Sequence, residues 1–186
     1  FKLSVLPTVS VCILAKNEQK NIVRAIKSVK KIADEIIVLD TGSTDKTIEF
    51  ATKEGAKVIQ TEWKNSFATA RNEAMSHATM DWILMLDSDE ALSEEAGEKL
   101  KQTLVQLSDK KVYLARITNI LDKFGANEKY ELYVVRILPN NKNFTYIRDI
   151  HEYPVSADGS LLGAENLKDI EILHYGYEAR FIKEKN

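Results

Sequence analysis

The chain has 186 residues, of which 44% are hydrophobic and 29% charged, and its formal net charge is −2. This length and composition predict one globular domain with a substantial core. The near-neutral charge argues against a nucleic-acid-binding protein, and no apolar run is long enough to span a membrane. Cys12 is the one cysteine. An intrachain disulfide is therefore excluded, which favours a reducing, cytoplasmic location.

Strands and helices alternate along the first half of the chain. Short apolar runs predict buried strands, and apolar residues at helical spacing predict helices between them. The predicted strands are 9–14, 35–39, 56–60 and 80–86, and the predicted helices are 21–31, 43–54 and 67–77. This alternation predicts an α/β fold with a mostly parallel sheet and helices on both faces. Ligands of such sheets bind outside the carboxyl ends of the strands.

The second half of the chain has a different pattern, with longer stretches of β-branched and aromatic residues. It predicts a helix at 93–107 and strands at 111–118, 129–138, 144–147 and 170–174. We expect this part to be smaller and more antiparallel. No internal repeat or linker divides the chain, so we expect one domain with two lobes. The last six residues resemble a helix cut short, and we expect the domain to be truncated at this end.

Two carboxylates follow the fourth predicted strand, in the sequence Asp87-Ser88-Asp89. An isolated buried carboxylate is costly, so acids at the end of a core strand need water, a cation or a basic partner. Residues i and i+2 of an extended segment point to the same side. Asp87 and Asp89 are therefore predicted to converge on one divalent cation and its phosphates. The alternative is a strand end followed by a helix cap at Ser93.

Polar residues also follow the first two predicted strands and are expected at the same edge. Asn17 and Glu18 end the first strand, and Asp40 ends the second. Asp40 either caps a turn or makes a hydrogen bond to a base or ribose. Arg71, on the helix before the acidic strand, is either a solvated surface residue or a phosphate contact.

Two residues near the carboxyl end are candidates for the opposite side of this edge. His174 is either a structural histidine or a group that approaches a metal or a diphosphate. Glu152, or Asp149 three residues before it, could act as a general base, since that role requires a carboxylate near an acceptor proton. Cys12 is expected to be a small core residue and not a nucleophile.

Four blocks of sequence, in order, carry a resemblance to a known family. The blocks are VSVCILAKNE at 9–18, DEIIVLDTGSTD at 34–45, ARN at 70–72 and DWILMLDSDE at 81–90. Together they resemble the family-2 glycosyltransferases, which have the GT-A fold. The later segments HE at 151–152 and LHYGY at 173–177 resemble one bacterial branch. That branch includes lipopolysaccharide-core glucosyltransferase-like proteins and enzymes that glycosylate bacteriocin peptides on cysteine or serine.

The resemblance implies roles for residues at matching positions. One loop is expected to lie along the nucleotide, and one acid is expected to contact the base. A basic residue is expected near the base and diphosphate. Of the acidic pair, the first residue is expected near the ribose and the second on the metal. The residues implied for the nucleotide-sugar are Ala15, Asn17, Glu18, Asp40, Arg71, Asp87 and Ser88. Asp89 and His174 are implied for the metal. Glu152, with Asp89, is implied for catalysis, although this chain has His-Glu where the family commonly has Glu-Asp.

The implied activity is an inverting transfer of a hexose from a UDP-sugar, with UDP-glucose favoured, assisted by Mg²⁺ or Mn²⁺. Residues 1–92 would bind the donor and residues 93–186 the acceptor, which would be a peptide, a lipid-linked group or a cell-envelope glycan. A homodimer through a further C-terminal part is also conceivable.

Two other classes remain open as alternatives to this transfer. One is a nucleotidyltransferase, although the loop 15–18 lacks the glycines of a phosphate-binding loop. The other is a non-catalytic nucleotide-sugar-binding module. A Rossmann dehydrogenase is disfavoured, since no G-x-G-x-x-G follows the first strand.

Overall fold

The computed structural model describes residues 5–120, 132–160 and 163–176. Within these ranges the chain forms a mixed sheet with helices on its faces and a separate two-stranded sheet. The strands are β1 (Val9–Ala15), β2 (Glu35–Asp40), β3 (Lys57–Gln60), β4 (Trp82–Asp87), β5 (Glu90–Leu92), β6 (Lys111–Asn119), β7 (Leu132–Pro139), β8 (Phe144–Ile147), β9 (Tyr153–Ser156) and β10 (Gly163–His174). The helices are α1 (Ile22–Val29), α2 (Thr47–Lys53), α3 (Phe67–Ser76) and α4 (Glu94–Leu104). None of these helices has both the length and the apolar character that crossing a bilayer requires.

The main sheet has the order β3-β2-β1-β4-β7-β6-β10-β5. β1 pairs in parallel with both β2 and β4, and β2 pairs in parallel with β3. The register places Ala15 opposite Asp40 and Leu14 opposite Asp87, so these strands end at nearly the same level. The prediction that the polar strand ends gather at one edge of a parallel sheet is confirmed.

The core lies on both faces of β1 because its side chains alternate between them. Val11 and Ile13 belong to the cluster that packs against α1. Cys12 belongs to the opposite cluster, which includes three alanines of α3, and it is fully buried as predicted. Alanine has no side chain beyond Cβ, so α3 can lie close to the sheet. This close packing brings the first turn of α3 to the edge where the strands end.

The second half continues the same sheet. β7 is antiparallel to β4 and β6, β5 is antiparallel to β10, and β8 forms an antiparallel pair with β9. The expected antiparallel character is therefore present, but β6 and β10 pair in parallel. The two strands are far apart in sequence, and other strands lie between them along the chain.

The predicted boundaries in this half were less accurate than in the first. β5 and β9 were not predicted, because strands of three and four residues carry too few positions to show an alternating pattern. β10 begins at Gly163 and not near 170, since its first part is polar and exposed and is held by pairing with β6. Residues 129–131 of the strand predicted at 129–138 and the expected terminal helix lie outside the described residues.

Candidate functional site

A cavity of about 400 Å³ opens at the edge where the parallel strands end. The residues around it come from the ends of β1, β2 and β4, from the segment after β3 and from the start of α3. They are Leu14, Ala15, Lys16, Glu18, Thr41, Trp63, Phe67, Asp87, Ser88 and Asp89. Five residues predicted for the site therefore line one cavity: Ala15, Glu18, Asp87, Ser88 and Asp89.

Asp87 is the last residue of β4 and is held by two arginines. Arg71 Nη2 lies 3.0 Å from Asp87 Oδ1, and Arg136 Nη2 lies 3.1 Å from Asp87 Oδ2. Burial alone raises the pKa of Asp87, but the two guanidinium groups outweigh it and hold that pKa below its usual range. Asp87 is therefore a fixed carboxylate that remains charged at neutral pH.

Arg136, on β7, joins Asp87 to a second buried acid. Its Nη2 and Nε lie 2.8 Å and 3.2 Å from the two carboxylate oxygens of Glu90, which is the paired geometry that guanidinium favours. Glu90 Oε2 also accepts a hydrogen bond from the backbone N–H of Asp87 at 2.9 Å. Sequence reasoning missed Arg136. The available signal was an arginine inside a run of β-branched and apolar residues, where a buried charge requires a partner.

Arg71 was expected either on the helix surface or at a phosphate, and the surface alternative is wrong. Its side chain is 4% exposed, and besides Asp87 it contacts Glu152, whose Oε1 accepts from Arg71 Nε at 2.8 Å. Arg71 Nη1 is buried and has no hydrogen-bond partner among the described residues. Arg71 thus lies behind the cavity wall and links the acids of β4 to the segment before β9. We call the five residues Glu152, Arg71, Asp87, Arg136 and Glu90 the arginine network.

Asp87 and Asp89 both line the cavity but contact different partners. The strand ends at Asp87 and the chain turns at the next two residues, so the two-residue periodicity of an extended segment does not apply here. Asp89 Oδ2 lies 3.4 Å from His174 Nε2. The hydrogen bond to Asp89 raises the pKa of His174 against the opposing effect of burial. The other ring nitrogen, Nδ1, lies 2.8 Å from Asn119 Oδ1, which orients the imidazole. The convergence of the two carboxylates on one cation remains a prediction.

The backbone after β10 passes close to this pair. Tyr175 donates its backbone N–H to the Asp89 carbonyl oxygen at 2.8 Å. A Cβ atom added to Gly176 would lie 2.2 Å from Asp89 Oδ2 and 2.8 Å from His174 Nε2. Such distances are far below van der Waals contact, so the absence of a side chain at Gly176 permits the close approach of the two groups.

The donors at this point fit a divalent cation. The Asp89 carboxylate is a ligand of the type that Mg²⁺ and Mn²⁺ prefer, and magnesium sites often combine one or two carboxylates with substrate phosphates. His174 could add a nitrogen ligand only in its deprotonated form. Among the described residues no group of three or more histidine, cysteine or acidic side chains could hold a metal. A cation here would therefore take most of its ligands from water and from the phosphates of a bound nucleotide. The assignment of Asp89 and His174 as metal ligands remains a prediction.

Asp40 occupies the position of a turn cap. Its side chain is buried, and Oδ1 accepts hydrogen bonds from the backbone N–H groups of Gly42 at 3.1 Å and Ser43 at 2.8 Å. Gly42 has φ +108°, a conformation that favours glycine. The neighbouring Thr41, and not Asp40, is among the residues that line the cavity. A contact of Asp40 with a base remains a prediction, while its capping role is visible.

Asn17 connects two loops at the edge. It has φ +54°, its backbone N–H donates to Ser43 Oγ at 2.8 Å, and its Oδ1 accepts from the Thr44 N–H at 2.8 Å. Glu18, the next residue, lines the cavity. Burial raises the pKa of Glu18, and the negative charge of Asp89 adds to that shift. Asn17 thus shapes the rim, and Glu18 contributes a carboxyl group to it.

Glu152 was predicted as the catalytic base and lies at the end of the arginine network. Its side chain is 15% exposed and is paired with Arg71, and it is not among the residues that line the cavity. The preceding loop reaches the cavity wall, because the carbonyl oxygen of Asp149 accepts from the Phe67 N–H at 3.0 Å. The role of Glu152 as a base remains a prediction.

Two aromatic residues of the cavity wall were not predicted. Trp63 and Phe67 form an edge-to-face pair with ring centroids 5.0 Å apart, and Phe67 is 43% exposed. The available signal was two aromatic residues four positions apart at the start of a predicted helix, beside a strand end.

Comparison with known proteins places these features in a family. Residues 10–164 match the model of glycosyl transferase family 2. A TPR repeat-containing protein of Synechococcus elongatus is 36% identical over 95% of this chain and 44% of its own length. An uncharacterized glycosyltransferase of Rickettsia typhi is 36% identical over 67% of this chain and 42% of its own length. The SPbeta prophage-derived glycosyltransferase SunS of Bacillus subtilis is 27% identical over 95% of this chain and 42% of its own. The chain thus spans less than half the length of these relatives.

Solved structures show the same architecture. Glucosyl-3-phosphoglycerate synthase from Mycobacterium tuberculosis in complex with Mg²⁺ and UDP is 25% identical to this chain, with a TM-score of 0.51. The match covers 61% of this chain and 44% of the other. The same enzyme with Mn²⁺, UDP-glucose and phosphoglyceric acid is also 25% identical with a TM-score of 0.51, over 60% of this chain and 44% of the other.

Proposed function

The chain belongs to glycosyltransferase family 2, and from this premise we propose that it transfers a hexose from a UDP-sugar, UDP-glucose before others, to an acceptor with inversion at the anomeric carbon. One observation carries the proposal. Asp87, Ser88 and Asp89 line the cavity at the carboxyl edge of the parallel sheet, with Asp89 beside His174. The similarity to an enzyme solved with UDP and a divalent metal supports it.

We assign Asp89 and His174 to a divalent cation, Mg²⁺ or Mn²⁺, which when bound neutralises negative charge that develops on the departing diphosphate. Asp87 has a different task. Its carboxylate is fixed by Arg71 and Arg136 and can accept hydrogen bonds from the ribose without moving. Fixed polar groups of this kind lower the cost of organising the site around the reacting atoms.

Glu152 is our proposal for the general base. The acceptor heteroatom forms a bond to the anomeric carbon while the bond from that carbon to the diphosphate oxygen breaks. The acceptor proton passes to the Glu152 carboxylate, and UDP leaves. The hydrogen bond from Arg71 Nε to Oε1 fixes the orientation of this carboxylate. Glu152→Gln separates this role from a positioning role, because the glutamine oxygen can still accept from Arg71 while it cannot take the proton.

In this proposal the donor and the acceptor bind to different halves of the chain. We propose that residues 1–92 bind the donor, since they supply the whole lining of the cavity. Residues 93–186 would then bind the acceptor, which we assign to a peptide side chain, a lipid-linked group or a cell-envelope glycan. The resemblance of the segments at 151–152 and 173–177 to a bacterial branch that includes bacteriocin-peptide glycosyltransferases is the reason to test peptides first.

The decisive experiment measures release of UDP from labelled UDP-sugars in the presence of Mn²⁺, with and without candidate acceptors. Asp89→Ala should retain its fold by circular dichroism and lose about a hundredfold or more of the turnover, as when one transition-state stabilising group is removed. Asp109→Ala, an exposed acid far from the cavity, is the matched control and should behave like the native chain. Near-normal turnover of Asp89→Ala with saturating Mn²⁺ would exclude the metal role. Binding of UDP-sugars without any turnover would identify a non-catalytic nucleotide-sugar-binding domain.

A further inference from the structure

One contact outside the arginine network joins α1 to the segment that follows β10. The guanidinium carbon of Arg24, on α1, lies 3.7 Å from the centroid of the Tyr175 ring. This is well within the distance of about 6 Å over which an aromatic face attracts a cation. The other two arginine–tyrosine contacts that the structure describes are longer, at 5.3 and 5.8 Å. Arg24 therefore rests directly on the ring of Tyr175.

The direction of the Arg24 side chain is not set by an ion pair. Within the described parts of the chain its guanidinium has no carboxylate partner, and its Nη1 is buried without a hydrogen bond. Burial of a polar atom without a partner is unfavourable, and the attraction between the cation and the ring offsets part of this cost. The stack on Tyr175 is therefore the interaction that fixes Arg24 where it lies.

The backbone of Tyr175 is attached to the pair formed by Asp89 and His174. Tyr175 follows His174 directly, and its N–H donates to the carbonyl oxygen of Asp89 at 2.8 Å. Gly176 follows it and leaves no room for a Cβ beside either side chain of the pair. A displacement of Tyr175 must therefore move His174 relative to Asp89.

Helix α1 is a fixed support for the stack because it is anchored on both sides of Arg24. Before it, the Ile22 N–H donates to the carbonyl oxygen of Glu18 at 2.9 Å. One turn after it, Ser28 Oγ accepts from the backbone N–H of Leu92 in β5 at 3.0 Å. Because β5 pairs with the end of β10, the helix and the segment that carries the tyrosine share one support.

We propose that Arg24 is a positioning residue of the cation site, which holds His174 beside Asp89 by stacking on Tyr175. The inference rests on the proposed function, because it takes that pair as the place of the divalent cation. Arg24 contacts neither member of the pair in this account and acts through the tyrosine alone. A contact that only stabilised the fold would affect nucleotide binding equally with and without the cation. A positioning residue should affect the part of the binding that the cation contributes.

The test measures how much the cation contributes to binding of UDP. UDP is titrated calorimetrically, once with Mn²⁺ and once with EDTA, into the native chain and into Arg24→Ala. We expect Arg24→Ala to reduce the ratio of the two affinities about tenfold, a typical loss when the support of a metal ligand is removed. Binding in EDTA should change by less than about twofold. Arg148→Ala removes one of the longer arginine–tyrosine contacts and is the matched control, which should leave the ratio unchanged.

Two substitutions of Tyr175 separate stacking from packing. Tyr175→Phe keeps the aromatic face against Arg24 and should retain the native ratio of affinities. Tyr175→Leu keeps an apolar side chain without a π-face and should lose as much as Arg24→Ala, so it serves as the second variant if the alanine variant unfolds. Hydrogen exchange of the Tyr175 amide in the metal-free chain gives an independent readout. It should be faster in Arg24→Ala, because the bond to the Asp89 carbonyl oxygen opens more often.

The outcomes distinguish the inference from the proposed function. If Arg24→Ala and Tyr175→Leu changed UDP binding equally with Mn²⁺ and with EDTA, or changed neither, the inference would be overturned and the proposed function would stand. If the native chain bound UDP no more tightly with Mn²⁺ than with EDTA, the metal assignment of the proposed function would fall together with the inference.

Discussion

The two carboxylates of the acidic turn lie two residues apart and have opposite surroundings. Asp87 is paired with two guanidinium groups, those of Arg71 and Arg136, whereas Asp89 faces one imidazole, that of His174. The first is paired within the protein, and its charge is satisfied before a ligand arrives. The second retains capacity for a cation. Neighbouring acids in one short motif can therefore have different roles, one in charge pairing within the protein and the other in ligand binding.

The largest expected effect concerns the guanidinium group that pairs with Asp87 and Glu90. Arg136→Met should destabilise the chain by about 3–5 kcal/mol, because it leaves the buried Glu90 without its cation and removes one of the two guanidinium partners of Asp87. Urea denaturation measures the free energy of unfolding. Arg136→Lys keeps the charge without the paired geometry and should lie between the native chain and Arg136→Met. If Arg136→Met were as stable as the native chain, Asp87 would not depend on the network as described.

The next prediction separates the two acids directly. Asp87→Asn should lower the free energy of unfolding by about 2 kcal/mol, because it removes the negative charge that pairs with two buried guanidinium groups. Asp89→Asn should change stability by less than about 0.5 kcal/mol, because Asp89 faces one imidazole at 3.4 Å and no guanidinium group among the described residues. Chemical denaturation of both variants in the absence of metal provides the measurement. Equal losses of stability would contradict the difference between the two sides.

A third substitution tests the contact between Asp89 and His174 by adding a methyl group to the neighbouring glycine. Gly176→Ala places a methyl group against Asp89 Oδ2 and His174 Nε2, so it should separate the pair and weaken Mn²⁺ binding about tenfold, a typical loss when the support of a metal ligand is altered. Calorimetric titration with Mn²⁺ and UDP reports the affinity. Gly97→Ala is the matched control, since its added Cβ would meet Leu92 at an ordinary 3.8 Å. Unchanged affinity in Gly176→Ala would show that the close approach is not required.

The smallest effect is expected at the opposite edge of the sheet, where Glu35 begins β2. Burial raises the pKa of Glu35, but hydrogen bonds from the Ser10 hydroxyl and from Thr79 outweigh it and lower that pKa. A lowered pKa in the folded state contributes stability above the unfolded pKa of about 4.3, and this contribution is lost as the pH falls through the folded value. Because Glu35 is partly exposed, we expect less than about 1 kcal/mol. In Glu35→Gln the free energy of unfolding should decrease less steeply as the pH is lowered. An unchanged pH dependence would refute the contribution of Glu35.

Much of the first half of the fold was predictable from local pattern. The apolar runs and the helical spacing located β1 to β4 and α1 to α3 within four residues, because each element carries its own burial pattern over enough positions. The gathering of the strand ends also followed, since parallel strands present their carboxyl ends at one edge. The elements β5 and β9 were missed because they are too short to show a pattern of their own and are held by pairing with β10 and β8.

Several residues that line the cavity could be named from the sequence, whereas their arrangement was less predictable. Ala15, Glu18, Asp87, Ser88 and Asp89 were named from the sequence, and all of them line the cavity. The pairing of Asp89 with His174 was not predictable, since it joins residues far apart in the chain. The burial of Arg71 was also hidden, because the helical pattern could not reveal which acids would face it.

Periodicity within short segments was enough to predict three features from the sequence alone. They are the parallel sheet, the edge at which its polar residues collect and the acids at that edge. Tertiary structure alone decided that Arg136 holds Asp87, that Gly176 admits Asp89 to His174 and that Trp63 and Phe67 complete the cavity. Each of these contacts joins residues far apart in the chain or depends on a turn. Charge pairing and close packing, which act through space, therefore settled what local pattern could not.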